Sequence, residues 1–199
     1  GIHEADADEF LKKNFPYHVY TQLKGADLYK HKEGKPYTRE DFHQHPENYI
    51  SKFLPYAFVA DILMNGVYWD KNIPRLFEKE AVADDKFNIQ TIADVTDDKN
   101  GSVPINLGDQ TIEEPVYGVD RNSFEKTAPY LKTSVDIMAV GNLPNELPRD
   151  ASRYFGEQLI KYVLPDLLKG GSTIIEKAII VKNGELTPHF AYLKTYAEA

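Results

Sequence analysis

Phe58-Val59-Ala60-Asp61-Ile62-Leu63-Met64 runs directly into Asn65-Gly66. An almost continuous apolar run ending on a polar, glycine-bearing turn is what a strand covered on both faces of a parallel sheet requires. Two further stretches repeat the pattern. Ile89-Gln90-Thr91-Ile92-Ala93 leads into Asp94-Val95-Thr96-Asp97-Asp98, and Ser134-Val135-Asp136-Ile137-Met138-Ala139-Val140 leads into Gly141-Asn142. Ligands of open parallel sheets bind beyond the carboxyl ends of the strands, so three such endings in series predict one rim of a binding crevice. The glycine-rich turn that should open the crevice is absent from the sequence. The twelve glycines never form G-x-G-x-x-G, no P-loop pattern occurs, and the adjacent pair Gly170-Gly171 follows a predicted helix instead of leading one. The expected fold class is α/β: an incomplete Rossmann-like, doubly wound parallel sheet with flanking helices, lacking its first strand and glycine-rich loop.

Around these three strands the chain reads as alternating elements with one irregular passage. Asp6 to Lys13 is a short helix capped by Asp6, and His18 to Leu23 alternates as a strand. Lys24 to Thr38, charged and broken by Gly25, Gly34 and Pro36, reads as a loop. Pro46 opens a helix through Phe53, and Pro74 to Ala83 is the crossover helix between the first two buried strands. Glu114 to Val119 is the best strand in a Gly/Pro-rich passage. Leu147 to Leu168 is a long amphipathic helix with apolar Ala151, Phe155, Leu159 and Val163, stopped by Gly170-Gly171. Ile174 to Val181 and Phe190 to Tyr196 follow as helices. The expected organisation is residues 1–168 as the carboxyl-terminal part of a dinucleotide-binding domain and 169–199 as a helical return segment.

Composition removes several function classes. A chain of 199 residues, 42% hydrophobic, can build a sizeable core. A formal charge of -8 with no basic stripe argues against a nucleic-acid partner, because Lys and Arg supply affinity for phosphate backbones. Zero cysteines exclude disulfides, a thiolate nucleophile and a zinc-thiolate site. No apolar run approaches the roughly 18 to 20 residues of a membrane span, and the cytoplasm is the expected compartment. His43-x-His45 beside Glu47 lacks the i,i+4 spacing of helical metal pairs, so no metal site is expected. The thirteen tyrosines read as core and interface residues.

Four segments carry a family resemblance. Asn65-Gly66-Val67-Tyr68-Trp69-Asp70-Lys71-Asn72-Ile73-Pro74-Arg75-Leu76 resembles the lysine-ketoglutarate reductase and saccharopine dehydrogenase family, within the alanine dehydrogenase and transhydrogenase superfamily. His45-Pro46-Glu47-Asn48-Tyr49-Ile50-Ser51-Lys52-Phe53 resembles the segment ahead of that strand. Asp94-Val95-Thr96-Asp97-Asp98 resembles the family's Asp-Val-Ser-Ala-Asp turn, and Asn142-Leu143-Pro144 with Leu147-Pro148-Arg149-Asp150-Ala151-Ser152 resembles the stretch that starts its long helix. They occur in family order and take in most of residues 37–164.

The resemblance implies the carboxyl-terminal part of an NAD- or NADP-dependent oxidoreductase that acts on the CH-NH bond of saccharopine, formed from lysine and 2-oxoglutarate. It assigns Asn65, Gly66, Tyr68, Asp94, Val95, Val140, Gly141, Asn142 and Leu143 to the cofactor, and Thr96, Asp97 and Asp98 to the substrate. Glu4 is a weaker candidate for the adenosine ribose. The family's catalytic lysine and histidine have no counterpart here, so no catalytic residue is assigned and the isolated chain is expected to be inactive. Each segment also has a plainer reading: Asn65-Gly66 as a turn, the aspartates as a capped turn with solvated carboxylates, Asn142-Leu143 as a helix entry. Two positions depart from the family pattern. Asp97 stands where relatives usually carry alanine, and Val140-Gly141 where many have Ile-Asp, which removes a carboxylate available to the cofactor.

Two other readings stay open. One is a non-catalytic nucleotide- or partner-binding module derived from such an enzyme, favoured by the missing glycine loop and by Gly141. The other is an alanine-dehydrogenase-like enzyme, against which Gly66-Val67-Tyr68-Trp69 argues. Strand edges left open by a missing first strand predict self-association into a homo-oligomer.

Overall fold

The computed structural model describes residues 1–12 and 14–197, which belong to two compact units, Gly1–Gly141 and Asn142–Ala199. The first unit opens with β1 (His3–Glu4), helix α1 (Ala7–Lys12) and β2 (Val19–Tyr20), and β1 and β2 pair in parallel. Asp6 caps α1 as expected: its Oδ1 accepts from the Glu9 amide at 2.8 Å. Lys13, the expected last residue of that helix, lies outside the described residues.

The passage expected as a loop contains structure. Residues Gly25–Leu28 form a helical turn, α2, and β3 (Tyr29–His31) pairs antiparallel with β4 (Tyr49–Ser51). Between them lies α3 (Arg39–Gln44), capped by Thr38 Oγ1 accepting from the Asp41 amide at 3.2 Å. Aromatic packing overrides the breakers: Tyr49 is 1% exposed, with the rings of Phe42 and Tyr37 at 5.2 and 5.7 Å. The same pairing displaces the helix expected from Pro46 to Phe53, leaving one 3-10 turn, Pro46–Asn48, before β4.

A helical turn, α4 (Leu54–Ala57), precedes the first expected buried strand, and the strand itself, β5, covers only Ile62–Asn65, with Ile62 and Met64 exposed rather than covered on both faces. The crossover helix is likewise reduced to a 3-10 turn at Lys79–Ala83. Ile73, Leu76 and Phe77 sink into the core from an irregular segment, and their spacing satisfies burial without a helix.

The main sheet has the order β5-β6-β9-β7-β8, with β6 at Thr91–Asp94, β7 at Val116–Asp120, β8 at Lys126–Thr127 and β9 at Ser134–Met138. Strands β5, β6 and β9 are parallel neighbours; β7 runs antiparallel to both β9 and β8. The molecule is a mixed α/β structure with a five-stranded mixed sheet, not the wholly parallel sheet expected. The physical reason is the short connection after β7, since a tight turn joins antiparallel strands and a parallel pair needs a longer crossover. Ile92, Val119, Val135, Ile137 and Ala139 are fully buried and form the centre of the core.

The second unit begins with a 3-10 turn at Leu143–Glu146 and continues as α5 (Pro148–Gln158), a π-helical turn (Leu159–Val163) and α6 (Leu164–Leu168). The expected long helix is thus interrupted at a definable place. Pro165 has no amide to donate and its ring opposes the carbonyl four residues earlier, which a π turn accommodates. Gly170 and Gly171 terminate it with positive φ, 93° and 108°. Helix α7 (Thr173–Ala178) precedes a hairpin, β10 (Val181–Lys182) and β11 (Glu185–Leu186), around Asn183-Gly184. The hairpin takes the end of the helix expected through Val181. A 3-10 segment (Pro188–Leu193) and α8 (Lys194–Ala197) follow. Among the described residues no helix is long and apolar enough to cross a membrane.

Candidate functional site

Because β5, β6 and β9 are parallel neighbours, their carboxyl ends lie on one rim. Asn65 is in register with Asp94, and Ala93 with Met138, so the three turns expected to line a crevice stand side by side. The first layer of this rim is a buried polar network. Asn65 Nδ2 donates to Asp94 Oδ1 and to Ser102 Oγ, both at 2.8 Å, while Thr96 Oγ1 donates to Asp94 Oδ1 at 2.7 Å. Asn106 Nδ2 donates to Asp94 Oδ2 at 2.8 Å, and Tyr117 OH donates to Asn106 Oδ1 at 3.1 Å. Asn65, Asp94, Ser102 and Asn106 are each 1% exposed or less.

A buried carboxylate is tolerated when donors satisfy its oxygens, and here three side chains do so. Asp94 and Asn65 therefore stiffen the rim from below, and their direct polar contacts are with the protein. Tyr117 shares this environment. Burial pushes its phenol up, partly offset by the backbone amides of Leu107 and Gly108.

Above the network the turn is open and acidic. Gly66 has open space where a side chain would be, Val95 is 49% exposed and Tyr68 is 72% exposed. Asp97 adopts the left-handed region, φ 56°, and its Oδ1 is buried with no hydrogen-bond partner. Burial chiefly raises its carboxyl above the ordinary range, and the carboxylates of Asp109, Asp94 and Asp98 add to the effect. At the end of β9, Val140 is buried and Gly141 faces Asp97 and Asp109. The rim of the first unit thus unites Asn65, Gly66, Asp94, Val95, Thr96, Asp97, Asp98, Val140 and Gly141. Asn142 and Leu143 open the second unit, Asn142 with φ 54° ahead of the Leu143–Glu146 turn. Glu4 lies on β1 and accepts from Tyr20 OH at 3.3 Å.

Sequence reasoning missed several supporting residues. Ser102 and Asn106 carry half of the network from a segment with no periodicity, so only their Gly-Ser and Asn-x-Gly contexts hinted at turns. Arg75 fixes the acidic turn from the side: Nε donates to the Gly101 carbonyl at 3.0 Å and Nη2 to the Asn100 carbonyl at 2.8 Å, with the guanidinium 5.1 Å from the centre of the Trp69 ring.

The opposite, amino end of the sheet has a different character. A cavity of about 690 Å³ there is lined by Gln90, Thr91, Arg121, Ser134 and Asp136 among others. Arg121 donates to the carbonyls of Phe87 and Ile89, both at 2.9 Å, and of Val82 at 3.4 Å, which ties the crossover segment to the sheet. Asp136 Oδ1 accepts the Tyr130 amide at 2.8 Å. Among the described residues no three His, Asp or Glu side chains are grouped to hold a metal ion; His45 and Glu47 form a pair at 3.4 Å.

No protein-family model matches the chain. Curated proteins do. The chain is 27% identical to alpha-aminoadipic semialdehyde synthase, mitochondrial, of Rattus norvegicus, over 82% of its own length and 20% of that protein's. It is 27% identical to alpha-aminoadipic semialdehyde synthase of Arabidopsis thaliana over 89% of its length and 18% of the relative's. A third similarity, 28% identity over 53% of the chain and 28% of the relative, is to saccharopine dehydrogenase [NAD(+), L-lysine-forming] of Emericella nidulans. The chain spans about a fifth of the length of the synthases it matches.

Proposed function

We propose, from the premise that this chain is similar to the lysine-ketoglutarate reductase and saccharopine dehydrogenase family, that it forms the nicotinamide side of an incomplete Rossmann-like crevice in an NAD- or NADP-dependent oxidoreductase acting on the CH-NH bond of saccharopine. The observation that carries the reading is the alignment of three parallel strand ends, β5, β6 and β9, on one rim over a satisfied buried network. When bound, the nicotinamide cofactor exchanges a hydride with the carbon of the imine that joins lysine to 2-oxoglutarate.

The residues of the rim suit a nicotinamide riboside in kind. Gly66 lets a flat ring approach the backbone closely, and Tyr68 offers an exposed ring and hydroxyl beside it. The buried Asn65–Asp94 pair holds the two turns at fixed spacing, so any ligand above them meets a preorganised surface. Val95, Val140 and Gly141 complete the cofactor side in this reading. Thr96, Asp97 and Asp98 form the substrate floor, where unpaired negative charge favours an ammonium group. No residue here moves the proton, and the isolated chain is inactive. A pyrophosphate cradle is not among these residues, so the dinucleotide is held in part.

Calorimetric titration of the chain with NADH and NADPH, with and without saccharopine, tests the reading. Binding that weakens in Tyr68→Ala supports it. No binding of either cofactor favours the second reading, a non-catalytic module derived from such an enzyme, to which the absent glycine-rich turn points. Turnover of saccharopine by the chain alone contradicts the assignment of proton transfer to residues elsewhere.

A further inference from the structure

The cavity at the amino ends of the strands is lined by a half-buried cation and a buried carboxylate that do not pair. Arg121 follows β7 directly. Its guanidinium donates to the carbonyls of Val82, Phe87 and Ile89, all neutral partners, and lies 5.8 Å from the centre of the Phe87 ring. Burial lowers its pKa, and no carboxylate acts against that effect. An arginine has more N–H donors than these bonds use. Asp136, on β9, is 8% exposed, and among the described residues its side chain accepts one hydrogen bond, from the Tyr130 amide to Oδ1 at 2.8 Å. Neither group takes part in an ion pair among the described residues.

A charge withdrawn from water is costly unless an opposite charge meets it. Bonds to carbonyls satisfy donors of Arg121 without neutralising it, and a single amide leaves the second oxygen of Asp136 unused. The backbone beside the carboxylate is strained as well. Tyr130, whose amide Asp136 holds, sits at φ 66°, where a bulky side chain is an outlier, and it is 77% exposed on the cavity lining next to the exposed Leu131. A turn that only closes the chain is served there by glycine without the penalty, so strain in a cavity wall points to use. Thr91, in register with Asp136 on β6, and Ser134, two residues before it on β9, add hydroxyls to the same face of the sheet.

We propose that this cavity is a binding site for a free amino acid in its zwitterionic form: the ligand's carboxylate meets Arg121, its ammonium meets Asp136, and an apolar side chain packs on Tyr130 and Leu131. The volume of about 690 Å³ falls in the range of roughly 300–1,000 Å³ typical of small-molecule sites. The two charges exclude simpler ligands. An anion alone would face Asp136, and a cation alone would face Arg121, each without compensation. Asp84, Asp85 and Lys132 also line the cavity but are exposed, where solvent and salt screen them, so the more buried pair sets the ligand class. The site lies at the end of the sheet opposite the rim, and the inference goes beyond the function proposed above without resting on it.

The test is an amide NMR titration of the full chain with L-leucine, beside isocaproate, which lacks the ammonium, and isoamylamine, which lacks the carboxylate. L-leucine shifts the amides of Thr91, Tyr130, Ser134 and Asp136, and neither analogue does so at equal concentration. Asp136→Asn keeps the acceptor for the Tyr130 amide and loses the charge, and it weakens L-leucine about tenfold, the loss of roughly one hydrogen bond to a charged group. Tyr130→Gly, which relieves the positive φ, raises the thermal midpoint and weakens L-leucine as well. Absence of shifts with L-leucine up to its solubility limit overturns the site. Shifts of equal size with either analogue, or unchanged affinity in Asp136→Asn, overturn the pairing of both charges with one ligand. No NADH is present in this titration, so failure here leaves the function proposed for the opposite rim intact, and failure of NADH to bind leaves this site standing.

Discussion

Replacing Asn65 by alanine removes the side chain on which the rim depends. Asn65 is 1% exposed and bridges two segments: its amide donates to Asp94 Oδ1 and to Ser102 Oγ, each at 2.8 Å, while its carbonyl oxygen accepts the Val67 amide at 3.4 Å. A hydrogen bond to a charged group contributes about 1.5–3 kcal/mol and a neutral one about 1. Asp94 keeps Thr96 and Asn106 as donors, so its charge is not abandoned, and the expected loss is about 2–4 kcal/mol. For a chain of this size that is a fall of about 4–16 °C in midpoint. Urea unfolding followed by far-ultraviolet circular dichroism gives the free energy, and Trp69 fluorescence reports the rim separately. Two companions sharpen the reading. Ser102→Ala removes one neutral bond and costs about 1 kcal/mol. Asn65→Asp sets a second carboxylate against Asp94, destabilises more at neutral pH than Asn65→Ala does, and recovers in acid as the pair takes up a proton. An Asn65→Ala protein within about 0.5 kcal/mol of the parent, the range of inert surface changes, refutes the view that this network holds the rim.

Other consequences follow from single groups. The Asp97 carboxyl is pushed up in the folded state, so its contribution to stability is fully present below the unfolded value, and is lost as pH rises through the folded value. Asp97→Asn, which keeps the shape and tolerates the left-handed backbone, is therefore more stable than the parent at pH 7, and the difference closes in acid; urea midpoints across a pH series check both the sign and the window. Arg121→Met strips the guanidinium from the carbonyls of Val82, Phe87 and Ile89 and lowers stability by about 2–4 kcal/mol. Arg121→Lys, which keeps the charge without the planar fork, restores little of it, as unfolding of the two variants side by side will show. Gly118→Ala drives a Cβ in β7 against the Ala128 carbonyl and the Thr127 hydroxyl, and this change in strand pairing appears as faster amide exchange across β7 and β8.

The parallel core of the fold was legible because its signal is local. Apolar runs that end at Asn65, Asp94 and Gly141 read as parallel strands, and β5, β6 and β9 occur there in the expected order, but β5 is an edge strand with Ile62 67% and Met64 77% exposed and is not covered on both faces as its apolar run suggests. What escaped depended on distant partners. Residues 24–38 look like a loop until Tyr29 and His31 are seen to pair with Tyr49 and Ser51, and charge with glycine outweighs aromatic burial in any single-window reading. Pro46 is as good a first residue for a 3-10 turn before a strand as for a helix. The mixed sheet was hidden because β7 reads as a strand in either orientation, and only the turn at residues 121–125 decides its direction.

The site divides in the same way. The acidic turn and Asn65-Gly66 announced themselves by residue type. Their division into a buried layer and an open layer did not, because Ser102 and Asn106, which bond to Asn65 and Asp94, come from a segment without helical or strand period, and the bond from Tyr117 on β7 to Asn106 is visible only in the fold. Contact between positions 97 and 141 is likewise a property of the fold: 44 residues separate them along the chain (141 minus 97), and neither alone looks like more than an irregular turn.

We propose that a nicotinamide cofactor meets the rim at the carboxyl ends of β5, β6 and β9. The most direct measurement is a two-dimensional amide NMR titration of the labelled chain with NADH. Shifts are expected to concentrate at Gly66, Val95, Thr96, Asp97 and Gly141, with the lining of the amino-end cavity at Thr91, Arg121 and Ser134 unmoved. Shifts confined to that cavity, or none at saturating NADH, would contradict it.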